Sequence, residues 1–322
     1  MTVPHPLLDR LRIAAVIPCY NEALAIPQVI AEFRAALPQA EIHVFDNAST
    51  DDTAAVARAH GAQVTHVALR GKGNVVRRMF ADVEADVYVM VDGDATYDLS
   101  TVRELIADLV EGNLDMVVGA RVDDRQDAQT YRPGHRAGNR LLTGSVSRLF
   151  GGRFTDMLSG LRVFSRRYVK SFPALAKGFE IETELTVHAL ELRMPYAERP
   201  TLYRSRPEGS HSKLSTYRDG WRILVMILRL FVNERPLSFF SAIGGLLALG
   251  AIALAIPLVV TFVETGLVPR LPTAVLATGM MLAAMLSAAC GAVLRTVTLG
   301  RREVKRLRYL ATPGVRNALR RP

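Results

Sequence analysis

Over the first 120 residues, short apolar runs alternate with longer segments that predict helices. The short runs are rich in Val, Ile and Ala, which is typical of strands buried on both faces of a parallel sheet. They predict strands at Ile13–Ile17, Glu41–Phe45, Ala62–Val67 and Asp115–Ala120, and one within Asp86–Asp94. Strands that alternate with helices of about ten to fifteen residues predict an α/β fold with a mostly parallel sheet.

The later part of the chain is far more apolar. Ser238–Val263 contains no charged residue over 26 positions, and Pro272–Leu294 contains none over 23. Because about 20 apolar residues suffice to cross a bilayer, these segments predict a two-helix transmembrane hairpin. The alternative is a pair of helices buried in a soluble core.

Just before this hairpin, large apolar residues are interrupted by Arg222 and Arg229. This pattern favours an amphipathic helix over residues 218–236 that lies in the lipid headgroup layer. An ordinary helix packed on the domain is the alternative. Two polar stretches, Val122–Arg136 and Tyr203–Tyr217, predict loops, and the second loop could close over a bound ligand.

Charge is distributed unevenly along the 322 residues. The net charge is +9, and residues 295–322 hold nine Arg or Lys against one Glu. A basic tail directly after an apolar span favours a juxtamembrane, cytoplasmic location over a nucleic-acid partner. With only two cysteines and no apolar run near the N-terminus, we expect neither a disulfide framework nor a cleaved signal peptide.

These patterns predict four parts of the chain and their location. They are a domain over 1–217, a juxtamembrane helix over 218–236, a hairpin over 237–295, and a basic tail over 296–322. An even number of spans would place the domain and both termini on the cytoplasmic side of the membrane.

Two acids directly follow the apolar run of Asp86–Asp94. Ligands of parallel sheets bind at the carboxyl ends of the strands. Asp92 and Asp94 are therefore candidate ligands of a divalent cation that could in turn hold a diphosphate. The alternative is that Asp94 only caps a turn or the following helix.

Eight short motifs occur in an order that resembles family 2 glycosyltransferases. The resemblance is greater to the polyisoprenyl-phosphate type, which includes dolichol-phosphate mannose synthases and bactoprenol-phosphate glucosyltransferases. It covers about residues 12 to 215 and implies a GT-A (Rossmann-like) domain. The motifs are Pro18-x-Tyr20-Asn21-Glu22, Asp46-Asn47-Ala48-Ser49-Thr50-Asp51, Gly71-Lys72-Gly73, Asp92-x-Asp94, Gly119-x-Arg121, Ser159-Gly160-Leu161-Arg162, Phe179-x-Ile181-Glu182 and Ser212-Lys213-Leu214. Two positions depart from the family pattern: Thr96 stands where many members have Gln, and His135 precedes Gly138-Asn139 where relatives have Ser.

The resemblance implies that a UDP- or GDP-sugar binds across the first strands. It assigns this contact to Pro18, Tyr20, Glu22, Asp46, Lys72, Asp92, Gly93 and Asp94. Asp92 and Asp94 would hold Mg²⁺ or Mn²⁺ and, with Arg121, form the catalytic group. Lys72 also lies between glycines at a helix start, where backbone N–H groups and an ammonium suit phosphate.

A polyprenyl phosphate acceptor would be largely dianionic at pH 7 and would need no general base. It would need cations to bind its phosphate. The candidates are Arg121, Arg132, Arg136, Arg140, Arg162, Arg204, Arg206 and Lys213. In-line attack would invert the donor's anomeric configuration. Glu182 would orient a sugar hydroxyl or the arginine cluster.

Two other functions stay open at this point. A hydroxyl acceptor on a glycolipid or polysaccharide would need a base, for which Asp98 or an acid within 123–127 is the candidate. A non-catalytic membrane scaffold is the other. Neither the sugar, the nucleotide, the polyprenyl length nor the oligomeric state follows from the sequence, although a homo-oligomer is compatible with the hairpin.

Overall fold

The computed structural model describes residues 8–123, 143–148, 150–152, 154–178, 180–205, 225, 228–229 and 231–320. The chain forms two compact units. The first combines Met1–Ile223 with Val304–Pro322, and the second is Leu224–Glu303. Most of the predicted juxtamembrane helix and of the loop after Ser205 lies outside the described residues, so both stay predictions.

A seven-stranded sheet forms the centre of the first unit. Its strands are β1 Ile13–Cys19, β2 Glu41–Asp46, β3 Gln63–His66, β4 Val87–Met90, β5 Met116–Asp123, β6 Arg162–Ser165 and β7 Tyr196–Tyr203. Their order is β3-β2-β1-β4-β6-β5-β7. All adjacent pairs are parallel except those of β6, which is antiparallel to both neighbours. The prediction of a mostly parallel α/β sheet is confirmed.

Helices pack on this sheet, and further helices form the second unit. They are α1 Ile26–Ala36, α2 Thr53–Ala59, α3 Lys72–Asp82, α4 Val102–Glu111, α5 Arg166–Ser171, α6 Ile181–Leu192, α7 Pro236–Thr265, α8 Leu271–Ala311 and α9 Val315–Leu319. In the amphipathic helices, apolar residues recur at helical spacing and form one buried face. In α4, Leu105, Ile106 and Leu109 share this face and are fully buried. Ser165 caps α5 by accepting a hydrogen bond from the backbone N–H of Tyr168.

Two strands of the sheet, β6 and β7, were not predicted. Both lie on the far side of β4 from β1, and β7 pairs with β5 along its whole length. Consequently the sheet extends well beyond the early βαβ series, and β4 with its two acids lies near the middle of the sheet.

The C-terminal residues of the first unit pack onto its sheet domain. Val315 is buried in the same core as β1 and α4. The Tyr309 hydroxyl lies 2.8 Å from Asp115 Oδ2, and Arg316 Nε donates to the carbonyl of Val110. This basic segment is therefore part of the folded domain.

The second unit contains α7 and most of α8, both of which are long and apolar enough to cross a membrane. Their mean hydropathies reach 2.7 and 1.8. Small residues allow the two helices to approach each other: a Cβ on Gly244 would lie 2.9 Å from the carbonyl oxygen of Ala284. Gly266, at φ 69°, ends α7 and begins the short connection to α8.

Candidate active site

Acidic side chains converge at the carboxyl ends of β1, β2 and β4. Cys19, the last residue of β1, is buried among Glu22, Asp46, Asp92 and Asp94. Burial, and then the negative charges of these four carboxylates, raise the pKa of the Cys19 thiol well above its ordinary value. The predicted donor-site acids therefore share one edge of the sheet, as the strand pattern required.

The acid pair after β4 is held rigidly. Asp94 is buried, and its Oδ1 accepts a hydrogen bond of 2.7 Å from the Thr96 hydroxyl. Gly93 lies against Cys19, and a Cβ at this position would collide with the Cys19 sulfur. Asp92 keeps 30% of its side chain exposed. One carboxylate is thus fixed in the interior, and the other is partly exposed to solvent.

Lys72 connects Asp92 to a third carboxylate. Its Nζ lies 2.5 Å from Asp92 Oδ1 and 2.5 Å from Glu182 Oε1. Burial alone would lower the pKa of Lys72, but these two charges raise it above its ordinary value. Burial raises the pKa of Glu182. The other oxygen of Glu182 is buried and has no hydrogen-bond partner among the described residues, so its capacity to accept a hydrogen bond is unused there.

Two glycines bring Lys72 and Glu182 together. Lys72 is the first residue of α3, and a Cβ on Gly71 or Gly73 would collide with a carbonyl oxygen of Lys177 or Ala176. Gly71 also has φ 119°, a conformation that favours glycine. The helix start therefore lies directly against the segment that leads into α6 and Glu182. This explains the Gly71-Lys72-Gly73 spacing in physical terms.

The Ser159-Gly160 turn lies against Asp92. A Cβ on Gly160 would collide with the Asp92 carboxylate. The backbone N–H of Gly160 donates to the hydroxyl of the buried Tyr97 at 2.7 Å. The turn thus defines one wall of the acid pair, and its glycine is required by this close approach.

The predicted nucleotide contacts lie beside these acids. Pro18 and Tyr20 are partly exposed, and the Arg70 guanidinium lies 5.2 Å from the centroid of the Tyr20 ring. Asp46 Oδ2 lies 3.1 Å from His66 Nδ1. The sheet edge therefore offers an aromatic face, carboxylate oxygens and a cation within one surface.

Asn47 has a structural role that the sequence motif did not predict. Its amide donates to the carbonyls of Val67 and Leu69, and its oxygen accepts from the N–H of Gly71 at 2.7 Å. These bonds hold the segment that ends at Lys72. Asn47 consequently positions Lys72 through the backbone.

Arg121 lies at the same edge in a network of its own. Its guanidinium makes two hydrogen bonds with Asp156, of 2.7 and 2.8 Å, and lies 5.5 Å from the Tyr203 ring centroid. The Tyr203 hydroxyl is hydrogen-bonded to Thr96, which holds Asp94. Sequence analysis missed Asp156, because no local pattern relates it to Arg121.

The other residues that were predicted to bind the acceptor phosphate have different surroundings. Arg162 is fully buried and donates to the carbonyls of Ser159 and Met157 and to the hydroxyl of Thr186. A phosphate contact does not fit this geometry, and Arg162 instead joins the Ser159 turn to α6. Arg204 pairs with Glu32 and Asp98. Arg132, Arg136, Arg140, Arg206 and Lys213 lie outside the described residues.

The residues present fit a divalent cation that is shared with a ligand. Within the described part of the chain, no group of three or more His, Cys, Asp or Glu could hold a metal ion. Asp92 and Asp94 supply hard oxygen donors, which Mg²⁺ and Mn²⁺ prefer. An ion bound by two carboxylates keeps positions open for diphosphate oxygens.

Residues 14–172 match the family model for glycosyl transferase family 2, and the chain belongs to this family. The protein is a glycosyltransferase of the nucleotide-sugar-dependent kind. It is 35% identical over 228 residues to the glycosyltransferase AglJ of Haloferax volcanii, across 70% of this chain and 74% of that protein.

Two further similarities bear on substrate and fold. A dolichyl-phosphate hexose transferase of Haloferax volcanii is 29% identical over 224 residues, across 69% of this chain and 95% of that protein. Glucosyl-3-phosphoglycerate synthase from Mycobacterium tuberculosis, solved with Mn²⁺, UDP and glucosyl-3-phosphoglycerate, superposes with a TM-score of 0.56 at 22% identity. That alignment covers 71% of this chain and 86% of the synthase, and it supports the GT-A-type fold.

Proposed function

We propose that the protein transfers a sugar from a nucleoside diphosphate sugar to a polyprenyl phosphate, with inversion at the anomeric carbon. The observation that carries this proposal is the buried Lys72 between Asp92 and Glu182, beside Asp94. It would combine cation ligands, an ammonium suited to phosphate and a buried carboxylate oxygen with unused accepting capacity in one place. The similarity to a dolichyl-phosphate hexose transferase supports the acceptor class.

On the donor side, Asp92 and Asp94 would hold Mg²⁺ or Mn²⁺. When bound, such a cation stabilises the negative charge that develops on the leaving nucleoside diphosphate. A structural neighbour solved with Mn²⁺ and UDP is consistent with this assignment. Pro18, Tyr20, Glu22 and Asp46 would contact the base and ribose.

Lys72 would act on the leaving group, and Glu182 would act on the sugar. The Lys72 ammonium donates to a diphosphate oxygen, which favours departure of the leaving group. The second oxygen of Glu182 accepts a hydrogen bond from a sugar hydroxyl and so orients the ring.

On the acceptor side, the phosphate monoester is the nucleophile. It is already deprotonated at neutral pH, so one in-line displacement suffices and no covalent enzyme intermediate forms. Among the described residues, Arg121 is the best candidate to bind the acceptor phosphate. Its contacts lead through Tyr203 and Thr96 to Asp94. Of the other predicted cations, Arg132, Arg136, Arg140, Arg206 and Lys213 would complete the phosphate site.

A hydroxyl acceptor is less well supported by the geometry. Asp98, a candidate base for that reaction, accepts from the backbone N–H of Ser100 and pairs with Arg204 at 3.0 Å. It is thus engaged in capping a turn. The two apolar helices favour a membrane-embedded acceptor, with the catalytic domain and both termini on the cytoplasmic side.

The test is product formation by the purified full chain in detergent. Polyprenyl phosphate is incubated with a panel of UDP- and GDP-sugars and Mn²⁺, and the lipid fraction is analysed by mass spectrometry. We expect one lipid-linked phosphosugar whose formation stops with EDTA and in the Asp94→Asn variant. If every donor fails with polyprenyl phosphate while a hydroxyl acceptor is glycosylated, the proposed acceptor is wrong.

A further inference from the structure

The side chain of Arg70 extends along the edge of the sheet to the ring of Tyr20. Tyr20 follows β1 and Arg70 follows β3, and β2 lies between these two strands. The Arg70 guanidinium lies 5.2 Å from the centroid of the Tyr20 ring. To meet, the two side chains span the carboxyl end of β2, whose last residue is Asp46. An aromatic ring and a flat cation thus lie together beside a carboxylate.

Hydrogen bonds fix the backbone on both sides of Arg70. The Asn47 side-chain amide donates to the carbonyl of Leu69, and its oxygen accepts from the N–H of Gly71, each at 2.7 Å. The carbonyl of Arg70 itself accepts from the Asn74 side chain at 3.0 Å. These contacts set the direction in which the Arg70 side chain leaves the backbone. Its guanidinium is exposed and can still change rotamer.

Arg70 also differs from other cations at this edge in how its charge is paired. Lys72 is paired with two carboxylates, and Arg121 is paired with Asp156. Among the described residues, the Arg70 guanidinium has neither an ion-pair partner nor a hydrogen-bond partner, and it contacts the Tyr20 ring. A guanidinium plane stacks on flat π systems, which include both aromatic side chains and nucleobases.

We propose that Arg70 is a nucleotide-binding residue whose guanidinium stacks on the base of the donor, with the Tyr20 ring on the other face of the base. This role rests on the proposed function, because the donor must carry a base. A base between two flat groups needs about 7 Å, which is twice an ordinary contact of about 3.5 Å. The guanidinium therefore withdraws by about 2 Å when the base enters, through rotation within an exposed side chain.

The test compares nucleotides with pyrophosphate, which has the diphosphate but no base. Binding of UDP, GDP and pyrophosphate to the full chain in detergent with Mg²⁺ is measured by isothermal titration calorimetry. In Arg70→Gln we expect the affinity for the nucleotide that the native chain binds to fall about ten-fold or more, because base stacking contributes that much. The affinity for pyrophosphate should stay unchanged.

Two further variants separate stacking from charge and from general effects. Arg70→Lys keeps the positive charge but not the plane, so its nucleotide affinity should stay close to that of Arg70→Gln. Arg58→Gln, at an exposed position in the last turn of α2, should bind nucleotide like the native chain.

The outcomes that contradict this role differ from those that contradict the proposed function. Unchanged nucleotide affinity in Arg70→Gln would remove Arg70 from the site and leave the proposed function standing. An equal loss of pyrophosphate affinity, or full recovery in Arg70→Lys, would show that Arg70 acts through its charge and not by stacking on the base. If the native chain binds neither UDP nor GDP, the proposed donor is wrong and the role of Arg70 fails with it.

Discussion

The Lys72 ammonium lies 2.5 Å from Glu182 Oε1, and both side chains are less than 10% exposed. This contact joins the start of α3 to the start of α6, and through Asp92 it joins both to the end of β4. A buried ion pair contributes little net stability, but removal of one partner leaves an uncompensated charge. We therefore expect the same contact to affect both folding and catalysis.

Replacement of Lys72 should separate these two effects. In Lys72→Met, two carboxylates lose their shared cation, and we expect about 3 kcal/mol of destabilisation. Sugar transfer should fall by about 100-fold or more, because the leaving diphosphate loses its ammonium. Thermal unfolding and product formation in detergent measure the two quantities.

The matched control is the double variant Lys72→Met with Glu182→Gln. It removes one of the stranded charges, so part of the lost melting temperature should return while transfer stays low. A double variant no more stable than Lys72→Met alone would show that the pair is not energetically coupled.

Thr96 is expected to orient Asp94 for cation binding. Thr96→Val keeps the shape but removes the hydroxyl that donates to Asp94 Oδ1. Loss of such a supporting bond should raise the Mn²⁺ concentration for half-maximal activity about ten-fold. Thr96→Ser keeps the donor and should behave like the native protein. Equal Mn²⁺ requirements in both variants would exclude this role.

Gly160 should tolerate no side chain. In Gly160→Ala the new methyl group would displace the Asp92 carboxylate. Since displacements of about 1 Å can cost about 100-fold in rate, we expect a loss of that order with little change in thermal stability. Gly144→Ala is the control, because a Cβ there meets no atom within 4 Å. Full activity of Gly160→Ala would mean that Asp92 need not occupy its present position.

The early strands could be predicted because each is an apolar run bounded by polar residues. β7 escaped prediction because Glu198, Arg199 and Pro200 interrupt it, and only Thr201 within it is buried. β6 has four residues. Its position is determined by long-range pairing with β4 on one side and β5 on the other, which the local pattern does not encode.

The candidate site, too, could be predicted only in part from the sequence. Asp92, Asp94, Lys72 and Glu182 were each expected from their motifs, but the ion pairs that join Lys72 to Asp92 and Glu182 arise only from tertiary packing. Arg162 was misassigned because an arginine in a motif resembles a ligand contact. Its guanidinium instead satisfies interior carbonyl groups, which sequence cannot distinguish.

The C-terminal segment should contribute to the stability of the sheet domain. Val315 is 3% exposed within the main core. Val315→Ala should therefore lower the free energy of unfolding by about 2 kcal/mol through loss of buried apolar contacts. Asn317→Ala, at an exposed position of the same short helix, should have little effect. Equal melting temperatures for both variants would contradict docking of this segment in solution.

His188 should make the domain less stable in acid. The imidazole is buried beside Tyr168 and Phe172, and its Nε2 lies 3.1 Å from the Ser171 hydroxyl. Burial, with a smaller contribution from the charge of Lys305, lowers the pKa of His188 from about 6.5 to about 3. The folded pKa lies below the unfolded one, so the unfolded chain binds the extra proton. Stability is complete above about pH 6.5 and falls between there and pH 3.

This contribution can be isolated by substitution. Each pH unit in that window should cost up to about 1.4 kcal/mol. His188→Gln removes the titrating group, so its free energy of unfolding should vary with pH by about one proton less between pH 6 and 4. Chemical unfolding followed by circular dichroism measures this slope. His60→Gln, at an exposed histidine, is the matched control for loss of an imidazole. If both variants keep the native slope, acid sensitivity arises elsewhere, and His188 does not remain neutral in the folded protein.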